Sequence, residues 1–586
     1  MKNKGGGEGV RMEKHSRFLE QLFFSKEFSG LSPKRARYVV NGRLSRAVKA
    51  ISRTFSYTST RTYGFMMLAF GLATVILHMA EFYFVAESAE YASPLILGAI
   101  LSGLAIPLIL FDKPMCSALQ EFVVTDYIFY EFFAIKRLRK NNSVKTIPPF
   151  IGIFLGVLPA VIGFFTSVEI VILALLGILF VFVSFSSPEL PLLSSVIALP
   201  YLSVIPYSER ILAIVVAISV LSFFGKVLFG KRVYFFELYD VLIVLFAITI
   251  VVAGVIGGGS ASTLNAWTLT VLALGYIPVA NIIVNRRLVE CAINAIMVSA
   301  VPVSVIAIVE FTVSIVRGAV TPSASTMSSA QSLAAFLSVV AVLSLISLID
   351  AKSRVRSVLV GSVFVLSVLA LITTECIPVL FVLLIAVPAF LIFRSPSIPK
   401  LSVILLAFLP LVIFLLPSVA MDKLSSFLNM SPSLATMALE YSEALALFKN
   451  HVFMGVGANG YMPNDSYPEF NTPLGIACRF GVFALVAVSL ILLLRLRQYT
   501  VYYRYRASSS VSSLIDMTAM TVLCLVVLGN FSDIFFDMSL FYAFFVLFGM
   551  CTAVLRISRR EHEDRMSYYG YVSEADSAVI DITVRK

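Results

Sequence analysis

An all-α, polytopic membrane fold is predicted by three observations: the composition, the length of the apolar runs, and the lack of alternation within them. The chain of 586 residues is 59% hydrophobic and 13% charged, with a mean hydropathy of +0.93. A soluble protein of that size cannot bury so much apolar surface and stay dispersed. A helix needs roughly 20 apolar residues to cross about 30 Å of hydrocarbon, and many runs here reach that length. In lipid the backbone must satisfy its own polar groups, so only helices or a closed barrel can span. The runs are continuously apolar, which selects helices.

Taken in order, the sequence predicts about sixteen apolar segments: 63–85, 94–111, 149–166, 169–186, 190–207, 210–225, 236–256, 265–284, 288–311, 329–350, 357–374, 376–394, 401–420, 472–494, 514–531 and 538–555. Pro188, Pro191, Pro200 and Pro206 leave one segment of 149–225 open to being short or re-entrant, so fourteen spans is the alternative. The first 62 residues are polar and basic, so no cleavable signal peptide is expected and the first span acts as the start signal. Four regions follow: a basic N-terminal segment (1–62), an N-terminal bundle (63–235), a second transmembrane region (236–555) and a cytoplasmic C-terminal tail (556–586), of which Ser567 to Lys586 is read as disordered.

Charge predicts orientation. With the N-terminus inside, 40 of the 45 Lys and Arg residues fall on the inner side; only Arg210, Arg317, Lys423, Lys449 and Arg479 do not. The net charge of +11 then reads as positive-inside bias facing anionic membrane lipid, and not as a nucleic-acid footprint. Both termini are expected in the cytoplasm. The six cysteines are scattered with no CxxC pair, suggesting neither a disulfide framework nor a metal site.

The long outer loop, about 421–471, is where chemistry is expected. Within it, Leu434 to Lys449 has the pattern of an amphipathic helix lying at the interface. Next comes Gly455-Val456-Gly457-Ala458-Asn459-Gly460-Tyr461, whose glycines allow a tight turn. Its amides are candidates for an anion-binding nest, the alternative being a turn that merely ends the helix. His451 is the one histidine of this loop, and capping the preceding helix is its plainer role. Arg479 sits one or two turns into the helix that starts at 472, where an ionisable group is a functional candidate; pairing with Glu375 or Glu310 between helices is the alternative. His78 and Glu81 share a face of the first span and suit either proton coupling or interfacial snorkelling. Asp533 and Asp537 flank an outer turn and need no special role.

Phe448-Lys449-Asn450-His451, the Gly455 turn, Asn471-Thr472, Leu474 and Gly481 with its apolar helix together resemble the bacterial O-antigen ligase and O-antigen polymerase family. Asn285 to Phe311 is similar to that family's mid-protein helix, so the resemblance covers about 236–555. It implies a fold like the large membrane glycosyltransferases (GT-C-like). It also implies transfer of an undecaprenyl-diphosphate-linked glycan to an acceptor during surface polysaccharide assembly, without metal or cofactor. Other polysaccharide-assembly membrane proteins are the implied partners, and the bacterial cytoplasmic membrane the implied location. The sequence departs from the family at two places. Phe470 stands where a loop histidine activates the acceptor, and Thr374-Glu375-Cys376 stands where an arginine meets the diphosphate. Glycosyl transfer here then needs substitutes for those two groups: His451 or Asp465 as base, Arg479 and Arg317 with Lys449 as cations for the diphosphate, and Gly455, Gly457 and Gly460 for close approach to the substrate. A transporter or flippase of lipid-linked sugar, and an inactive family member that scaffolds assembly, are the alternative readings.

Overall fold

The computed structural model describes residues 26–28, 50, 53–85, 92–133, 135, 137, 147–204, 207–257, 260–318, 321–376, 379–380, 382–383, 442–458, 471–503, 512–530, 533, 535 and 537–584. Among these, eleven helices are long and apolar enough to cross a membrane, and three shorter apolar ones, Pro149–Phe165, Glu189–Tyr201 and Ser512–Leu528, accompany them. The chain is all-α and of polytopic membrane type. Segment 401–420 and most of 376–394 lie outside the described residues; every other expected span has a helix.

The chain divides into two compact units. The second comprises Ser29–Pro191 and Leu221–Val233. It holds α1 (Thr60–Val85), α2 (Ala92–Leu110), α3 (Pro149–Phe165) and α4 (Val168–Ser186). α1 packs on both α2 and α3 through small residues. Without a hydrophobic drive between helices in lipid, close backbone approach supplies the packing. Gly152 and Gly156, four apart on α3, lie directly on the carbonyls of Thr62 and Met66 in α1. His78 turns its Nδ1 to the carbonyl of Thr74 at 2.9 Å and stands edge-on to Phe164. The region 112–148, read from sequence as a loop, carries short helices at Met115–Glu121 and Val123–Asp126 and a π-helical turn at Tyr127–Phe132.

The first unit comprises Met1–Phe28, Leu192–Val220 and Tyr234–Lys586. Between the units in sequence run α5 (Glu189–Ala198) and α6 (Ser208–Leu228). The first unit then holds α7 (Leu238–Ile256), α8 (Ser260–Leu274), α9 (Tyr276–Ile282), α10 (Arg286–Val316), α11 (Ala330–Ile349), α12 (Arg354–Thr373), α13 (Thr472–Tyr503), α14 (Ser512–Leu528) and α15 (Met538–Val584). A short antiparallel pair, β1 (Lys26–Phe28) with β2 (Tyr234–Phe236), joins the N-terminal segment to the start of α7 in a register of Lys26 opposite Phe236. Nothing in the hydropathy pattern signals that pair.

Burial ranks the helices. The spans in α15 and α11 are 94% and 89% buried, whereas that in α12 is 22% buried, so α15 and α11 form the centre of this unit. α7 packs on α8 and α13; α11 packs on α12 and α14; α9 and α14 pack on α15. Phe541, Phe544, Phe545 and Phe548 of α15 form an aromatic column that stacks on Phe246 of α7 and on Phe535. α15 does not stop at the membrane edge: its backbone stays helical to Val584, where the sequence reads a disordered tail.

A side chain at Gly156 would overlap the Met66 carbonyl, whereas nothing lies within 4 Å of a Cβ at Gly177. Gly156→Leu is therefore expected to destabilise the second unit by about 1–3 kcal/mol and Gly177→Leu to change little, read as thermal unfolding in detergent.

Candidate functional site

α13 is a broken helix. Asn471 caps its start, its Oδ1 accepting the Leu474 N–H at 2.9 Å. The Thr472 N–H donates to the carbonyl of Gly529 at 2.7 Å. The helix then runs to Phe480 and is interrupted at Gly481, with φ 80° and ψ −176°. In an intact helix the Val482 N–H would donate to the Cys478 carbonyl. Here it donates to Val452 at 2.8 Å. The Cys478 carbonyl accepts from Val456 at 2.9 Å, and the Arg479 carbonyl from Gly457 at 3.0 Å. Residues 452–457 thus form a strap laid into the missing rungs of the helix ladder.

Glycine makes this crossing possible. A Cβ at Gly455 would overlap the backbone of Arg479, and one at Gly481 would overlap the carbonyl of Phe453. Both residues have positive φ, a region that L side chains rarely adopt. On the other side of the strap, Gly257 at the end of α7 touches Val456 and Gly457 backbone to backbone. The amphipathic helix predicted over 434–449 is described over 442–450, and 434–441 lies outside the described residues. That helix covers the first piece of α13: Ala444 and Cys478 are buried together against Leu447, Phe448 and Leu474. The Cys478 thiol donates to the Ala444 carbonyl at 3.2 Å.

The strap changes the reading of the glycine turn. The amides of Gly455, Val456 and Gly457 donate to the carbonyls of His451, Cys478 and Arg479. They do not form an open anion nest while the strap is docked. The turn is a backbone joint.

The expected site residues fall into groups. Lys449 and His451 are exposed at the end of helix 442–450, immediately before the strap. Arg479 lies beneath, buried, with Nη2 2.6 Å from Asp533 Oδ2. Asp533 was assigned no role from sequence, yet its carboxylate rests on Gly475 and its Oδ1 accepts the Phe535 N–H at 3.2 Å. Arg317 is exposed at the C-terminal end of α10, and no described contact joins it to the strap. Glu310, on the same helix, accepts from the Ser323 hydroxyl at 2.7 Å and the Ser325 N–H at 3.0 Å, fixing the loop after α10. Glu375 is buried at the end of α12 with φ 52°. Asp465, Gly460 and Phe470 lie outside the described residues.

A second polar cluster, at the opposite end of the same unit, was missed. Glu237 and Asp240 form a reciprocal capping box at the start of α7. Arg556 of α15 lies 3.8 Å from Glu237 and donates to the Ala280 carbonyl. Arg495 of α13 is sandwiched between the rings of Tyr239 and Phe548, at 4.3 and 4.1 Å, and donates to Gln498 and Thr552. Charge counting placed Arg495 and Arg556 on the inner side, just past the expected spans; both lie within helices, Arg495 buried and Arg556 half-buried. The signal was present in Ile491 to Arg495, where an arginine ends an unbroken aliphatic run.

A scan against protein-family models finds no match to this chain, and a search of curated proteins finds no similar sequence.

Two outcomes follow from the buried charges. Arg479→Ala strands a buried carboxylate at Asp533 and is expected to cost about 3–5 kcal/mol, with Arg479→Ala/Asp533→Ala recovering part of the loss in thermal unfolding. Burial pushes the Glu237 carboxyl up to about 7 from an ordinary 4.5, against the opposing pull of Arg556 and Arg495. The folded state then holds this proton more tightly than the unfolded chain. The stability that it contributes is full below about 4.5 and is lost as pH rises through about 7. Glu237→Gln should flatten the fall in melting temperature between pH 5 and pH 8; an unchanged slope would place the pH dependence elsewhere.

Proposed function

We propose that this chain is a membrane glycan ligase or polymerase. It takes an oligosaccharide linked to a lipid diphosphate of the undecaprenyl class and transfers it to an acceptor hydroxyl. The observation that carries this reading is the exposed Lys449-Asn450-His451 helix end. It leads without a gap into a glycine strap locked on the helix that bears Arg479. Two of the stretches that carry the resemblance to the O-antigen ligase and polymerase family, 448–457 and 471–481, meet through backbone hydrogen bonds, which supports this reading.

In this mechanism His451 takes the proton from the acceptor hydroxyl as its oxygen attacks the anomeric carbon. The bond from that carbon to the diphosphate oxygen breaks, and the electron pair leaves with the lipid diphosphate. This reading assigns that developing charge to Lys449, exposed two residues from His451, and to Arg317, exposed at the end of α10. Arg479 already meets Asp533, so its contact with a diphosphate requires exchanging one anion for another. The basic residues concentrate at the opposite end of the unit, with Arg286, Arg287, Arg354 and Arg356 at helix starts there. That asymmetry supports a cytoplasmic basic end and an outward strap.

The broken α13 also favours a second reading, a carrier for the same lipid-linked sugar, because discontinuous helices line binding sites in many transporters. Purified protein with lipid-linked glycan and acceptor separates the two: a transferase makes product in detergent, where a carrier has no gradient or second compartment to act on. His451→Ala is expected to lower transfer by about 100-fold or more at unchanged protein abundance. Full-length polymer from that variant would remove His451 from the mechanism.

A further inference from the structure

We infer that α13 has two hydrogen-bonded forms, broken and continuous, and that the strap 452–457 selects between them. Docked, the strap holds the break open. Released, it lets the helix close across Gly481. The inference does not rest on the glycan reading and holds equally for a carrier.

In the docked form the Val482 N–H and the carbonyls of Cys478 and Arg479 are all satisfied by strap residues. The break lies within the membrane-spanning stretch Thr472–Tyr499. Withdrawing the strap there leaves one N–H and two carbonyls without partners. Each such group costs several kcal/mol in hydrocarbon. Closing the helix restores every rung: Val482 returns to Cys478, and Phe483 to Arg479. Nothing in the local sequence opposes closure. The only proline of α13 is Pro473, at the second helical position, and Gly481 adopts helical φ and ψ without strain. The two forms therefore exchange one set of backbone hydrogen bonds for another, which is the condition for a two-state element.

The exchange has a mechanical output. Moving Gly481 from φ 80°, ψ −176° to helical values re-aims residues 472–480 against 482–503. Arg479 is in the moving piece, and its ion pair with Asp533 belongs to the docked form. Strap position is thereby converted into the placement of a buried cation.

Hydrogen exchange of the full chain in lipid nanodiscs tests this. In the unaltered protein, the amides of Val456 and Gly457 should exchange together and faster than that of Val482, which is bonded in both forms. Slower exchange of the strap amides than of Val482 would overturn the proposal without any variant. Gly481→Ala removes the positive-φ residue and places a Cβ on the Phe453 carbonyl, pushing towards closure on both counts. The strap amides should then exchange at least about tenfold faster, while Val482 and Phe483 stay protected. Gly455→Ala, which leaves Gly481 free, should give the same pattern. Unchanged protection of α15 amides Phe541 to Phe548 reports an intact fold. Loss of protection at Val482 along with the strap, or persistent strap protection in both variants, sinks the two-form account.

Discussion

Three backbone hydrogen bonds between the strap and α13 organise the end of the first unit. They let a helix stop and restart inside an apolar span with its ladder satisfied, which lipid otherwise forbids. Because bonds between main-chain atoms demand near contact, they force glycine at 455 and 481 and bring Gly257 of α7 against the strap's outer side. Helix 442–450 follows, since its C-terminal turn is continuous with the strap and its Ala444 buries Cys478. The exposed Lys449 and His451 inherit their positions from that chain of constraints.

The two ends of this unit handle buried charge differently. At the strap end, Arg479 meets a carboxylate directly, and each ion depends on the other to be tolerated in a buried place. At the basic end, Arg495 is held mainly by the faces of Tyr239 and Phe548 and by neutral acceptors, with Glu237 engaged by Arg556 instead. A guanidinium suits that setting because its flat faces are weakly hydrated and stack on rings. The first arrangement can be undone by moving one loop; the second is locked between three helices.

Much of the fold was legible because spanning helices leave a long, unambiguous apolar signal. Arg286–Val316 and Ala330–Ile349 could hardly be read otherwise. The break in α13 was not legible, because Gly481 sits in an apolar run that reads as one helix and the partner that breaks it lies about 25 residues upstream. The role of the glycine turn was half legible: Gly455 and Gly457 signalled a close approach, but composition does not say whether a ligand or the chain's own backbone approaches. Asp533 was overlooked because a carboxylate in a turn looks solvated until its arginine is found. The ring contacts of Arg495 and Arg556 were not legible for a related reason, since a long helix can carry a cation against aromatic rings that lie far away in sequence.

The length of α15 carries its own consequence. Its membrane-spanning part ends near Glu561, and the helix continues to Val584. At 1.5 Å per residue, those further turns reach roughly 35 Å past the bilayer edge. The most buried span of the bundle is thus also the root of a stiff mast, and a tug or a docked protein at its tip would be felt as torque at the aromatic column. A change made far out in the aqueous phase has a helical route to the centre of the first unit.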